Sequence, residues 1–201
     1  RFFGIAAPLR HHDTRSHWDE AGMAAKIRKA AATASLRRMY VDCRYGQLHL
    51  TTAFPPSGGF DELTALLFLH AEGGSGADFD ACAVLLGSDR SVYAPDLPGS
   101  GASDGPAGRL SVANLAVAIA DLVDQLRLSE VDVIGCGRGA LVAFELAALR
   151  PREVRRLVFA GNQQPVVSPA QPTLRLAEDS AALTQKPVAP QIARIREFLD
   201  R

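Results

Sequence analysis

Beyond His70 the sequence contains no histidine: the five it has stand at positions 11, 12, 17, 49 and 70. No imidazole base can therefore come from residues 71–201. Cysteine is scarce as well. Cys43, Cys82 and Cys136 are an odd number without metal-type spacing. That argues against a disulfide framework or a zinc site and reads as three buried thiols in a reducing, cytoplasmic setting. Neither sign of charge is in surplus, with 22 basic against 22 acidic side chains and a pI near 7.1, so nothing marks a nucleic-acid partner. No apolar run approaches the roughly 20 residues of a membrane span.

What is present suits one globular domain: 201 residues with 47% hydrophobic content are enough for a sizeable core. Residues 1–38 differ from the rest and read as an N-terminal arm ahead of a domain over 39–201. The chain opens on Arg1 rather than Met, which reads as a fragment, a processed product or numbering from inside a reading frame. Ala24 to Arg38 is Ala-rich and carries Lys26, Arg28, Lys29, Arg37 and Arg38 with no acid. It reads as a solvated surface helix or disordered arm rather than a targeting segment. His11, His12 and His17 stand near Asp13 and Asp19. Without regular spacing they suit a polar loop better than a metal site, and no metal is expected.

Short apolar runs alternate with helical patterns along 39–161. Met39–Cys43 and Gln47–Thr52 flank a turn at Gly46 and predict a hairpin. Ala65–Leu69 is continuous and apolar, as a strand buried on both faces must be. Phe79–Leu86 has a helical pattern, and Ser91–Leu97 predicts the next strand. Ser111 is a good N-cap for a helix with Val112, Leu115, Ile119, Leu122, Val123 and Leu126 on one stripe. Val131–Ile134 and Val154–Phe159 predict strands on either side of a helix over Arg138–Leu149. After Gly161 the chain is Pro- and Gln-rich until Val188, Ile192, Ile195 and Leu199, which are spaced for a last amphipathic helix. The alternation implies βαβ units, hence a doubly wound α/β fold with a mostly parallel sheet begun by an antiparallel hairpin.

Three segments carry chemistry. His70-Ala71-Glu72-Gly73-Gly74-Ser75 follows a buried strand. Tyr93-Ala94-Pro95-Asp96-Leu97-Pro98-Gly99-Ser100-Gly101-Ala102-Ser103-Asp104 ends another. Gly135-Cys136-Gly137-Arg138-Gly139 joins strand to helix through a tight turn. Together these resemble the α/β-hydrolase family: its H-G-x-x-G-S loop, its D-x-P-G-x-G-x-S strand end and its G-x-S-x-G nucleophile elbow. The resemblance covers residues 40–161 and extends to the last helix, which looks like the family's closing helix.

The resemblance assigns roles by position. Gly137 holds the nucleophile's place and leaves it vacant. Glu72 N–H and Arg138 N–H are the oxyanion donors, with Ala71, Gly73, Gly135, Cys136 and Gly139 shaping their surroundings. His70, at the pocket mouth, and Asp96 are the remaining catalytic candidates, with hydrogen bonds that shape the oxyanion loop the favoured role for His70 over proton transfer. The family's chain order of nucleophile, acid, histidine has no histidine to complete it here. No strand is expected beyond Phe159, so the last strands and the lid are expected to be missing.

The resemblance implies a protein of ester, amide or C–C hydrolase ancestry that cannot run Ser-His-Asp hydrolysis. Its role would be binding a small hydrophobic ligand or a partner, with no cofactor. Two alternatives stay open. One is an active hydrolase using non-standard groups around His70, Asp96 and Cys136. In the bland reading of that cysteine, alternation along the strand turns it away from the pocket. The other is an S-adenosylmethionine or dinucleotide binder, because Gly135-x-Gly137-x-x-Ala140 follows a strand. Against it, Val133 stands where a methyltransferase acid would be. No acid ends the next strand, and Glu153 stands before that strand. Without its expected neighbour strands, Val154–Phe159 should form a sheet edge. Such an edge invites a homodimer or a partner strand.

Overall fold

The computed structural model describes residues 35–56, 63–160 and the strand 173–176. The arm's histidines, its basic stretch up to residue 34 and the helix expected over 188–199 lie outside the described residues. The strands are β1 (Leu36–Cys43), β2 (Gly46–Ala53), β3 (Ala65–Leu69), β4 (Val92–Pro95), β5 (Val131–Cys136), β6 (Val154–Ala160) and β7 (Thr173–Leu176). The helices are α1 (Asp80–Leu86), α2 (Val112–Gln125) and α3 (Arg138–Leu149), with a 3-10 turn at Gly76–Phe79 ahead of α1. The strands form one sheet in the order β1-β2-β4-β3-β5-β6-β7. The hairpin β1–β2 and the pair β2–β4 are antiparallel, and every other pair is parallel.

The expected fold is the observed one, and its residues explain it. All five residues of β3 are buried. Strand alternation sends Leu67 and Leu69 into one core and Leu66 and Phe68 into the other. Ser111 Oγ accepts from Asn114 N–H at 3.1 Å and starts α2, whose Leu115, Ile119, Leu122 and Val123 are buried. Residues of α2 and α3 fill the first core, while Cys82, Ala83 and Leu86 of α1 fill the second. The helices that follow the neighbouring strands β3 and β5 therefore lie on opposite faces of the sheet. That divergence opens a crevice beyond the carboxyl ends of the two strands, where doubly wound folds bind ligands. Leu69 and Gly135 are register partners at that end.

Two boundaries differ from expectation. The β1–β2 ladder begins at Leu36 paired with Ala53 and continues through Arg37 and Arg38. The sheet thus takes up the last three residues assigned to the arm, because long basic side chains are no obstacle on a half-solvated outer strand. The second difference is larger. Strand β6 is not a sheet edge: β7 pairs with it in parallel from Leu157↔Thr173 to Ala160↔Leu176. At least one further strand therefore follows Phe159, and its backbone supplies the ladder that an edge would lack. The expectation of a partner strand at β6 loses its basis over Leu157–Ala160.

Candidate functional site

The turn between β5 and α3 has the geometry of an elbow. Gly137, its apex, has φ 49° and ψ −118°, a combination closed to side-chain-bearing residues without strain of about 1–3 kcal/mol. The flanking glycines are fixed by close approach. A Cβ on Gly135 would lie 2.5 Å from Ala140 Cα, and one on Gly139 would collide with Leu69 O and His70 O. So α3 can sit against the end of β3 only with glycine at 139. At the apex the restriction is different. A Cβ on Gly137 would lie 3.0 Å from Ala71 Cβ. The methyl of Ala71 thus crowds the place where a nucleophile's side chain would begin, a consequence the sequence did not reveal.

The facing loop starts at the end of β3. His70 is 1% exposed and both its ring nitrogens are occupied. Leu97 N–H donates to Nε2 at 2.9 Å, and Nδ1–H donates to Ala71 O at 2.7 Å. This assigns the Nδ1–H tautomer and ties the loop after β3 to the loop after β4. Gly74 N–H donates to Ala71 O at 3.1 Å and closes the turn that carries Glu72 and Gly73.

Asp96 does not join these residues as a reacting group. Its Oδ1 accepts from Gly76 N–H at 2.7 Å. Its Oδ2 accepts from Ala102 N–H at 2.8 Å and lies 3.0 Å from His49 Nδ1. Ser103 Oγ donates to Asp96 O and accepts from His49 N–H. Asp96 is buried and anchors the loop after β4, and His49 is the partner that sequence reading missed. A histidine on a strand 47 residues away leaves no local sequence signal.

The structure brings His70, Ala71, Glu72, Gly73 and Arg138 to one cleft of about 400 Å³. Leu97, Pro98, Arg109, Leu110 and Leu115 line it as well, and none of them was expected. Its mouth carries charge. Glu72 Oε1 pairs with Arg109 Nη2 and lies 3.9 Å from Arg138 Nη1, while Arg138 Nη2 donates to Leu110 O. Arg109 stands in an aperiodic Gly/Pro loop ahead of the Ser111 cap, which is why no pattern pointed to it.

Cys136 is buried among the residues of the second core, with Phe68, Phe79, Ile134 and Val158. Burial pushes its thiol up to about 12, and burial does the same for Cys82. A thiol so protonated is a poor nucleophile. The shift has a pH consequence. From the ordinary value of 9.0 up to about 12, the unfolded chain loses thiol protons that the folded chain keeps. The unfolded state then binds fewer protons, so stability falls as pH rises through that window. Urea unfolding at pH 10 against pH 8 is expected to show a loss of about 3 kcal/mol from the two thiols. That loss is absent from the Cys82→Ala, Cys136→Ala variant; an equal loss in the variant contradicts the burial argument.

Among the described residues nothing favours a nucleotide. Glu153, the acid nearest β6 in sequence, pairs with Arg150 at 3.7 Å. It stands just before β6 begins, at the end of the sheet opposite the cleft. No group of side chains among the described residues could hold a metal ion, and no described helix is long and apolar enough to cross a membrane.

A doubly wound sheet, a cleft at the carboxyl ends of its central strands and a left-handed turn opening a helix there define the class: an α/β domain with a nucleophile elbow. The chain belongs to the α/β-hydrolase fold family, whose model matches residues 64–192. It is 33% identical over 112 residues to 2-hydroxymuconate semialdehyde hydrolase of Pseudomonas putida, covering 55% of this chain and 37% of that protein. It is 30% identical over 97 residues to pyrrolizixenacetamide deacetylase of Xenorhabdus hominickii, covering 48% and 36%. Among solved structures it resembles the epoxide hydrolase CorEH, with a TM-score of 0.59 at 24% identity over 69% of this chain and 46% of that one. It also resembles a serine-to-glycine mutant of the N-acyl homoserine lactonase AidH in complex with N-hexanoyl homoserine lactone. There the TM-score is 0.57 at 27% identity over 65% of this chain and 46% of that one. The chain spans less than half the length of these relatives.

Proposed function

We propose that this chain is a hydrolase-derived binding domain: its cleft takes small acyl compounds and does not hydrolyse them through a serine. The observation that carries this reading is Gly137 at the apex of an intact elbow. The strained turn, both flanking glycines and the facing loop are kept, while the group that would attack a carbonyl is absent. Arg138 N–H, in the first turn of α3 where N–H groups have no partner within the helix, and Glu72 N–H on the facing loop are suited to hold an acyl oxygen. Leu97, Leu110 and Leu115 supply apolar walls. The relatives act on an amide, a muconate semialdehyde, epoxides and a lactone by their names, and the lactonase in its serine-to-glycine form is complexed with its lactone. That last case supports the view that a serine-to-glycine form of a protein with this fold can bind a ligand.

The reading with non-standard catalytic groups is less well supported. His70, Asp96 and Cys136 are each engaged in loop anchoring or core packing. Ligand-observed NMR with methyl hexanoate and N-hexanoyl homoserine lactone tests the proposal. Saturable binding at millimolar ligand, with the ligand intact after a day, is expected for at least one of them. Consumption of the ligand, or no saturation with either, overturns it.

A further inference from the structure

We infer that the cleft selects carboxylates, and that Glu72 is an internal competitor for the same arginines. The inference rests on the binding role just proposed and names the ligand class. Two guanidiniums stand at the cleft mouth, Arg109 and Arg138, and among the described residues Glu72 is the only acid lining it. Among the described residues the lining thus holds two cationic side chains against one anionic one. One carboxylate already lies between the arginines: Glu72 Oε1 pairs with Arg109 and lies 3.9 Å from Arg138. An arrangement that accommodates a side-chain carboxylate accommodates a ligand's, because guanidinium forks match carboxylate geometry.

The Glu72 pair is weakly held. Arg109 and Glu72 have 70% and 59% of their side chains exposed, and such pairs are worth little in water. Arg138 differs. Only 19% of its side chain is exposed, and its hydrogen bond to Leu110 O fixes it against the cleft wall. A ligand carboxylate would replace Glu72 beside Arg138 and lead its apolar chain along Leu97, Leu110 and Leu115. The volume of about 400 Å³ lies in the range of small-molecule sites. The class is therefore a small aliphatic monocarboxylate, the acid half of an ester rather than the ester.

The test compares hexanoate with methyl hexanoate on the 201-residue chain, by NMR titration at neutral pH in low and high salt. Hexanoate is expected to bind about tenfold more tightly than its ester, as loss of a charge-assisted hydrogen bond would give. The advantage should shrink in 1 M salt. Arg138→Gln and Arg109→Gln each weaken hexanoate severalfold and more than they weaken the ester, and Glu72→Gln tightens hexanoate severalfold. Arg109 is exposed enough that its variant folds even if Arg138→Gln does not. Equal affinity for acid and ester, or indifference of hexanoate to Arg109→Gln and Glu72→Gln, overturns the inference and leaves the binding role intact. No saturable binding of hexanoate overturns the inference, and only if methyl hexanoate and the lactone also fail to bind does the binding role fall with it.

Discussion

Short-chain p-nitrophenyl esters are expected to be turned over by this chain about 10⁶-fold more slowly than by a complete triad enzyme, the loss seen when a triad's nucleophile is removed. Any remaining rate would come from the Glu72 and Arg138 N–H donors alone, since fixed donors stabilise an oxyanion without a nucleophile. Gly137→Ser is not expected to restore efficient turnover. Its hydroxyl would need a base, and His70, the only histidine among the described residues of the cleft, accepts from Leu97 N–H and donates to Ala71 O. The substitution also brings strain of about 1–3 kcal/mol at φ 49°. It brings a contact as well, because the new Cβ would lie 3.0 Å from Ala71 Cβ. The cost of Gly137→Ser should therefore be smaller in an Ala71→Gly background, a coupling that a thermodynamic cycle reads directly. A burst of p-nitrophenol from Gly137→Ser would show that a base exists elsewhere. Additive stabilities in the cycle would show that Ala71 does not crowd the apex.

The largest effect on stability is expected from Gly139→Ala. The added methyl would meet Leu69 O and lie 2.5 Å from His70 O. These are backbone atoms of β3 and the residue after it, which cannot rotate away. Relief requires α3 to shift from the sheet, and α3 supplies Ala140, Val142, Ala143, Leu146 and Ala147 to the larger core. Overpacking of this kind costs about 3 kcal/mol or more, a fall of about 6–12 °C in Tm for a chain of this size. Gly73→Ala is the comparison. A Cβ there meets nothing within 4 Å, and only its positive φ of 77° opposes the change, so its loss is expected to be near 1 kcal/mol. Calorimetry that ranks the two the other way contradicts the close-approach argument.

Most of this fold was legible because its signals are local and redundant. The bounds of β3 at Ala65–Leu69 and of α3 at Arg138–Leu149 are those expected, since a continuous apolar run and a Gly turn each punctuate the chain sharply. The Ser111 cap has the same quality. Strand β7 was not legible. Thr173-Leu174-Arg175-Leu176 is four residues long and follows Pro172 in a Pro- and Gln-rich stretch. Too few alternations occur there to separate a strand from a loop. Its place beside β6 is set by long-range pairing, which short segments do not encode. The site divides in the same way. Gly135, Gly137 and Gly139, set between a strand and a helix, carried the resemblance to an elbow. The link of Asp96 to His49, and the convergence of Glu72, Arg109 and Arg138, join loops that only the folded sheet brings together.

Intact-mass spectrometry of the chain after exposure to a fluorophosphonate probe tests the central claim most directly. An elbow whose apex is Gly137 has no hydroxyl to phosphonylate, and the thiols of Cys82 and Cys136 are buried and protonated. The account predicts an unchanged mass after prolonged treatment. A stoichiometric adduct that the same reagent fails to form on urea-unfolded protein would reveal an activated nucleophile in the folded cleft and would contradict it.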